Sequence, residues 1–133
     1  MASIHKEVLL EASAAKVWAA VRDVGNAHRL FDGVLTDCRL DGDSRVVTFV
    51  NGMIAREKII DIDDARRRVA YAVTGDRFTH HSASMQVFPE SGERSRFVWI
   101  SDFLPNDLSA MVAPLVDQGC AAVKRVLERT PAR

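Results

Sequence analysis

The sequence lacks an excess of charge of either sign: Lys plus Arg and Asp plus Glu number 18 each, so the formal net charge is zero. This balance argues against non-specific binding to nucleic acid or to an anionic membrane surface. The sequence also lacks an apolar run long enough to span a membrane, and residues 1–7 contain no apolar signal region. We therefore expect a cytoplasmic protein with no nucleic-acid partner and no membrane span.

Cysteine is scarce, and the common chemical motifs are missing. Cys38 and Cys120 are the only two cysteines, and they are too widely spaced for a disulfide framework. We find no metal-ligand spacing, nucleophile elbow, phosphate-binding glycine loop or metalloprotease motif, and we expect no metal and no cofactor. At 133 residues, with 47% apolar and 27% charged residues, the chain is typical of one globular domain over 1–133, as a monomer or a homodimer.

The last quarter of the chain, residues 106–128, has the spacing of one amphipathic helix. Steps of three and four residues separate most of its apolar positions, which are Leu108, Met111, Val112, Leu115, Val116, Cys120, Val123, Val126 and Leu127. Gly119 lies on this face, where a glycine costs about 1 kcal/mol relative to alanine. It therefore either admits a close neighbour or leaves room. Pro114 interrupts the pattern: either the helix kinks there, or a turn at 107–112 precedes a main helix starting near Pro114.

The rest of the chain has strand patterns, with two short helices near its start. A strand over 3–11 is followed by Ser13, a candidate N-cap for a helix over 14–23, and Asn26 begins a second short helix or turn through Leu30. Six runs with strand character and tight turns follow, at 34–40, 45–50, 54–62, 68–73, 79–88 and 94–103. No helical pattern separates them, which predicts an antiparallel meander.

These elements predict an α+β fold. A curved seven-stranded antiparallel sheet wraps around the long C-terminal helix, and two short helices lie between the first and second strands. A strongly curved sheet cannot touch a straight helix along its full length. We therefore expect a gap between sheet and helix, with Met111, Leu115 and Gly119 facing it.

Several short segments follow one another in a recognisable order: 12–18, 21–25, 51–52, 57–59, 63–68 with Tyr71, and Trp99 with 102–105. In order and spacing they resemble the helix-grip fold of the START-like superfamily, also called the Bet v 1-like or SRPBCC superfamily. The details are most similar to the bacterial polyketide cyclase/dehydrase family. The similarity runs from about Ile4 to Leu127, nearly the whole chain.

The resemblance implies a ligand cavity. Members of the superfamily bind hydrophobic or aromatic small molecules between sheet and helix, and some catalyse cyclisation or dehydration there. Plant abscisic acid receptors share the fold and close two loops over the ligand. The corresponding loops in this chain are 51–53 and 75–78. Neither carries the receptors' full gate or latch sequence, so a receptor role is not implied.

Strand alternation selects the side chains that face such a cavity, because every second residue of a strand shares a face. In the fourth strand the resemblance favours the face of Glu57 as the inner one, which by alternation also carries Ala55, Ile59 and Asp61. The predicted ligand-binding residues are Phe49, Glu57, Ile59, Tyr71, His81, Ala83, Met85, Phe97, Trp99, Met111, Leu115 and Gly119.

Glu57 and His81 are the candidate catalytic residues. A partly desolvated Glu57 carboxylate has a raised pKa, which suits a general base or an anchor for a ligand hydroxyl or amine. The alternative is a structural ion pair with a cationic neighbour such as Arg45, Arg56 or Lys58. His81 is either a proton-transfer group in its neutral form or a core histidine bonded to the backbone.

Three functions are therefore open. The first is binding of a hydrophobic or aromatic small molecule, lipid- or polyketide-like, with Glu57 or His81 as a polar anchor. The second is a cyclase or dehydratase that uses Glu57 or His81 for proton transfer. The third is a protein-interaction module without a small ligand, which a cavity below roughly 300 Å³ favours. The absence of a clear paired acid and base favours binding over catalysis.

Overall fold

Seven antiparallel strands form one curved sheet around the C-terminal helix, which confirms the predicted helix-grip fold. The computed structural model describes residues 2–129. The strands are β1 Ser3–Leu10, β2 Leu35–Asp41, β3 Ser44–Phe49, β4 Ile54–Asp63, β5 Arg68–Thr74, β6 His80–Ser91 and β7 Arg94–Leu104, in the order β1-β7-β6-β5-β4-β3-β2. The helices are α1 Ala14–Val21, α2 Ala27–Leu30 and α3 Ser109–Leu127, with 3₁₀ turns at Val24–Asn26 and Asn106–Leu108. Within this described part, no helix is long and apolar enough to cross a membrane.

Tight hairpins join the strands of the meander. Gly42 between β2 and β3 has a φ of 62°, and Gly92 between β6 and β7 has a φ of 54°. Glycine adopts this left-handed region without the steric cost that a Cβ brings. β1 pairs with β7 over its whole length. The first strand therefore extends the sheet beyond the last one.

Helix α1 begins at its predicted N-cap. The Oγ of Ser13 accepts a hydrogen bond from the Lys16 N–H at 3.2 Å. The Nε1–H of Trp18 donates to Asp64 Oδ1 at 2.9 Å, and the Nε–H of Arg22 donates to the same oxygen at 2.8 Å. These bonds fix α1 to the β4–β5 turn while its apolar face packs on β6 and β7.

Helix α3 runs unbroken from Ser109 to Leu127, with Pro114 inside it. The interpretation in which the main helix starts near Pro114 is wrong, and the preceding turn covers 106–108 rather than 107–112. Pro114 has no N–H, so the Ala110 carbonyl lacks the helical hydrogen bond that residue 114 would otherwise donate. The helix accommodates this loss because Pro114 and Ala110 are both exposed. Water can bond to that carbonyl.

A β-bulge in β4 corrects one prediction from alternation. The register with β5 shifts between Ile59, opposite Tyr71, and Asp61, opposite Ala70. Ile60 is 58% exposed, and beyond the bulge the alternation is reversed. Asp61 is therefore exposed rather than on the inner face with Glu57, and Ile62 packs against the core instead.

Candidate functional site

A cavity of about 110 Å³ lies between the concave face of the sheet and the N-terminal half of α3. It is partly open to solvent, and β3 to β7 form one wall. The opposite wall combines α3 with Phe31 and neighbouring residues of the connection from α2 to β2. This cavity lies beside only one half of the helix.

Nine of the twelve predicted ligand-binding residues line this cavity. They are Phe49, Glu57, Tyr71, His81, Met85, Trp99, Met111, Leu115 and Gly119. The other three, Ile59, Ala83 and Phe97, do not line it and belong to the packed core or its edge. Alternation gave their face but not their position along the strand, and the cavity occupies only part of the concave surface.

The sequence reasoning missed several lining residues, most importantly Arg45 and Ser101. Arg45 has the same strand parity as Val47 and Phe49, so alternation alone places it on the inner face. Sequence reasoning named Arg45 only as a possible counter-ion of Glu57. Phe31 and the loop residues have no periodic signal. The missed lining residues also include Ala27, Phe31, Val34 and Leu35, whereas Met53, Arg77 and Phe78 belong to the two loops that the resemblance named.

The two loops named from the resemblance do meet at one end of the cavity. Met53 follows the β3–β4 turn, and Arg77 and Phe78 belong to the β5–β6 connection. All three side chains line the cavity. The guanidinium of Arg77 contacts the Met53 sulfur across the two loops. The loops therefore form a rim that contains both apolar and charged groups.

Glu57 forms a buried ion pair with Arg45. The two residues lie directly opposite each other on β3 and β4, and Arg45 Nε–H donates to Glu57 Oε1 at 2.7 Å. Their side chains are only 5% and 12% exposed. Arg45 Nη1 also donates to the Val24 carbonyl at 3.3 Å. Of the two interpretations of Glu57, the geometry matches the ion pair, with Arg45 as the cation.

Arg45 stays charged in this site. Burial of its guanidinium lowers the pKa, but the Glu57 carboxylate opposite raises it, and the net shift is upward. The guanidinium also lies over the ring of Tyr71, with its central carbon 5.2 Å from the ring centroid. The cavity therefore contains a charge pair that is neutral overall and that contacts the Val24 carbonyl and the Tyr71 ring.

His81 bridges a place where the sheet opens. The β5–β6 ladder ends at Tyr71 opposite Ala83, although both strands continue toward Val73 and His81. The Val73 N–H donates instead to Nδ1 of the His81 ring, at 3.1 Å. The imidazole thus replaces a missing backbone carbonyl. This matches the backbone-bonded interpretation of His81.

The bond to Val73 also fixes the protonation of His81. Because Nδ1 accepts a hydrogen bond, the ring proton of the neutral form lies on Nε2, which is 3.2 Å from Ser101 Oγ. Burial lowers the pKa of His81 to about 4, and the neighbouring His80 contributes to this shift. The ring is therefore neutral at pH 7, with both nitrogens engaged.

A hydrogen bond joins Tyr71 and Trp99 in the cavity lining. The Nε1–H of Trp99 donates to the Tyr71 hydroxyl at 3.0 Å. Burial raises the pKa of Tyr71 far above its ordinary value, so the phenol keeps its proton. The Trp99 ring also packs on Phe31, with the ring centroids 5.4 Å apart.

Gly119 of α3 faces the Trp99 indole at close range. A Cβ at this position would lie 2.6 Å from Trp99 Cζ3 and 3.4 Å from Phe31 Cδ1. A carbon atom cannot approach a ring that closely without displacing it. The glycine therefore admits a close neighbour, which is the first of the two roles that the sequence left open.

Neither cysteine has the surroundings of a nucleophile. Cys38 and Cys120 are both free and buried. Burial raises the pKa of the Cys120 thiol to about 11 and also raises that of Cys38. Within residues 2–129, no three His, Cys, Asp or Glu side chains are placed to hold a metal ion.

Comparison with known proteins places the chain in a family. Residues 1–130 match the family described as polyketide cyclase/dehydrase and lipid transport. No curated protein matches the chain significantly.

Solved structures share the fold at low sequence identity. An uncharacterized protein from Bacillus thuringiensis is 17% identical with a TM-score of 0.85, over 96% of this chain and 100% of that one. The protein XoxI from Bacillus cereus is 16% identical with a TM-score of 0.83, over 96% of each chain. Norcoclaurine synthase from Thalictrum flavum, solved with dopamine and hydroxybenzaldehyde, is 21% identical with a TM-score of 0.73. The match covers 98% of this chain and 88% of that one. The structural likeness supports the fold, and the family match covers nearly the whole sequence: this chain belongs to the polyketide cyclase/dehydrase and lipid transport family.

Proposed function

We propose that this protein binds a small hydrophobic or aromatic molecule in the cavity between its sheet and α3. The observation that carries the proposal is the lining: mostly apolar side chains surround a few fixed polar groups, namely the Arg45–Glu57 pair and the Tyr71 hydroxyl. Ligand pockets commonly have this composition, because apolar area supplies affinity and a few polar atoms fix orientation. Family membership supports a hydrophobic ligand in general terms.

The cavity volume limits the size of this ligand. About 110 Å³ is well below the roughly 300 Å³ of pockets for drug-sized molecules. It is closer to the ~150 Å³ apolar cavity that accommodates benzene in an engineered protein. The ligand is therefore a single ring or a short chain in this conformation. A longer lipid- or polyketide-like molecule needs the rim loops, or the sheet and α3, to move apart.

The enzymatic alternative has less support. A cyclase or dehydratase that uses Glu57 or His81 needs one of them free to take a proton. Glu57 Oε1 accepts from Arg45, which leaves only Oε2 for a proton, and both His81 nitrogens have partners. Glu57→Gln separates the two functions: a loss of turnover at unchanged affinity favours the enzyme, and a loss of affinity alone favours binding.

The small volume is the one observation that favours a protein-interaction module. Direct tests of small-molecule binding decide between this module and the proposed ligand-binding function. Native mass spectrometry of the freshly purified protein shows whether a small molecule is retained. Titration with toluene tests the cavity itself, with the two tryptophan indole N–H signals in ¹H–¹⁵N spectra as the readout.

The cytoplasmic location stays a prediction.

The two tryptophans give this titration an internal control. Trp99 lines the cavity, whereas Trp18 bonds to Asp64 outside it. We expect toluene to move the Trp99 signal and to leave the Trp18 signal in place. Leu115→Phe fills the cavity and is expected to abolish the response. Ala121→Phe, on the exposed side of the same helix, is the matched control.

Failure of the proposal has a clear signature. If no small molecule is retained, and if toluene, phenol and hexanoate all leave the Trp99 signal unmoved at millimolar concentration, the cavity is not a binding site. The protein-interaction module is then the better explanation.

A further inference from the structure

Two hydroxyl groups in the cavity share an unusual arrangement. The Tyr71 and Ser101 side chains both line the cavity, and the two residues are only 4% and 3% exposed. The Tyr71 hydroxyl lies 3.0 Å from Trp99 Nε1, and Ser101 Oγ lies 3.2 Å from His81 Nε2. Both residues are opposite Ala83 in the sheet. The two hydroxyls therefore come from one row across β5, β6 and β7.

The direction of both hydrogen bonds is fixed by chemistry. An indole N–H only donates, so the Tyr71 oxygen is the acceptor from Trp99. His81 Nδ1 is occupied by the Val73 N–H, so the ring proton lies on Nε2 and is donated to Ser101. Each hydroxyl thus accepts from a ring N–H, and each keeps its own hydrogen for another partner.

Those two hydrogens lack an acceptor in the protein. Among residues 2–129, the Tyr71 and Ser101 hydroxyls make no hydrogen bond to a side chain or backbone beyond the two described. A buried donor left unpaired costs free energy, because it has lost its hydrogen bond to water and gained none in the protein. A ligand that supplies an acceptor to such a donor recovers part of this cost, and one that cannot do so does not.

We propose that the ligand carries a hydrogen-bond acceptor oxygen of the carbonyl type, and that Tyr71 and Ser101 select for it. This inference rests on the proposed function, since it names the chemical class that the same cavity takes. Ring compounds with a ketone or similar oxygen meet both requirements: they fit a cavity of about 110 Å³, and their oxygen accepts without needing to donate.

Glu57 is the competing feature of the lining. It is the only acidic side chain among the lining residues, and its Oε1 accepts from Arg45. Within the described residues, its Oε2 has no hydrogen-bond donor. A ligand held chiefly by Glu57 would present a donor, such as an amine, rather than a ketone. The two possibilities therefore predict opposite ligand preferences.

The test uses three probes of one shape. Cyclopentanone and methylenecyclopentane differ only in an oxygen that replaces a CH₂ group, and cyclopentylamine presents donors. Dissociation constants come from NMR titrations of the intact protein. We expect cyclopentanone to bind about tenfold more tightly than methylenecyclopentane, a difference of about 1.4 kcal/mol, because only the ketone accepts a hydrogen bond from the buried hydroxyls. We expect cyclopentylamine to bind more weakly than the ketone.

Variants connect this preference to the two hydroxyls. Tyr71→Phe and Ser101→Ala each remove one donor, and the double variant is expected to bring the ratio between ketone and alkene close to one. Ser95→Ala is the matched control, because Ser95 is a fully buried serine on the same strand that does not line the cavity. A general loss of stability weakens the binding of both probes alike, so it cancels in the ratio of their dissociation constants. If the double variant does not fold, each single variant is expected to lose part of the preference.

The outcomes separate this inference from the proposed function. If none of the probes binds, the proposed function fails. If ketone and alkene bind equally, if the amine binds best, or if the double variant keeps the preference, the cavity binds ligands but the inference about Tyr71 and Ser101 is wrong.

Discussion

The two halves of α3 have the same amphipathic pattern but different surroundings. In the C-terminal half, Ala122 and Val123 are fully buried, and Lys124 Nζ and Glu128 Oε2 bond to the backbone of Leu9 and Glu11 at the end of β1. In the N-terminal half, Met111 and Leu115 border the cavity and stay half-buried, while Val112 and Val116 border it from buried positions. A periodic pattern thus marks the face that turns inward. It does not show whether that face meets packed atoms or open space.

The largest expected effect separates packed and hollow regions directly. Phe97 is fully buried beside β1, whereas Met111 borders the cavity. We expect Phe97→Ala to lower the free energy of unfolding by about 3–5 kcal/mol, because it creates a void in a close-packed region. Met111→Ala is expected to cost less, about 1 kcal/mol, because this side chain is only half-buried and removes less apolar surface from water. Urea unfolding measures the free energy of unfolding of both variants. Equal losses would remove the distinction between the packed and the hollow region.

The next effect concerns the charged pair in the hollow region. Glu57→Gln leaves the buried Arg45 without a counter-ion, and we expect a loss of about 3 kcal/mol in the free energy of unfolding. Arg45→Met combined with Glu57→Leu removes both charges and is expected to restore most of it. Asp41→Asn, which breaks the exposed pair with Arg56, is the control and is expected to cost under about 1 kcal/mol. A double variant less stable than Glu57→Gln would show that the pair itself stabilises the fold.

Sequence reasoning predicted the fold because periodicity, capping and turn residues all pointed the same way. Ser13 caps α1, and the strands and turns follow the predicted order. It failed where a local irregularity changed the register, as at the bulge after Ile59. It also left the environment of Glu57 open, because Arg45 and Glu57 come together only through the pairing of β3 with β4. The bonds of His81 were equally hidden, since they depend on where the β5–β6 ladder ends.

A smaller effect depends on pH and on the opening beside His81. Its pKa is about 4 in the folded protein, against an ordinary value of 6.5. Between these pH values the unfolded chain binds a proton at His81 that the folded protein does not. The contribution of His81 to the free energy of unfolding is therefore fully present above about pH 6.5 and is lost as the pH falls toward 4. For a partly exposed ring we expect a loss of about 2 kcal/mol over this range.

His81→Gln isolates this contribution, because a glutamine amide can accept from Val73 and donate to Ser101 without titrating. We expect the variant to lose less stability than the wild type between pH 7 and pH 4, as measured by urea unfolding at each pH. Carboxylates titrate in both proteins and cancel in the difference. His80→Gln, at the exposed neighbour, is expected to follow the wild type. A wild-type curve parallel to that of His81→Gln would mean that His81 does not couple to folding.

The smallest expected change in stability lies at the boundary between the two halves of α3. In Gly119→Ala the new methyl group would lie 2.6 Å from Trp99 Cζ3, so the indole must move. The gain of about 1 kcal/mol in helix propensity offsets part of an overpacking cost of about 1–3 kcal/mol, and we expect a net loss near 1 kcal/mol. Ligand binding should suffer more than stability, because the displaced ring leaves its bond to Tyr71 and enters the cavity. Toluene titration compares this variant with Gln118→Ala, an exposed change on the same helix. If Gly119→Ala were more stable than the wild type and bound toluene equally well, the close approach of helix and indole would have no part in shaping the cavity.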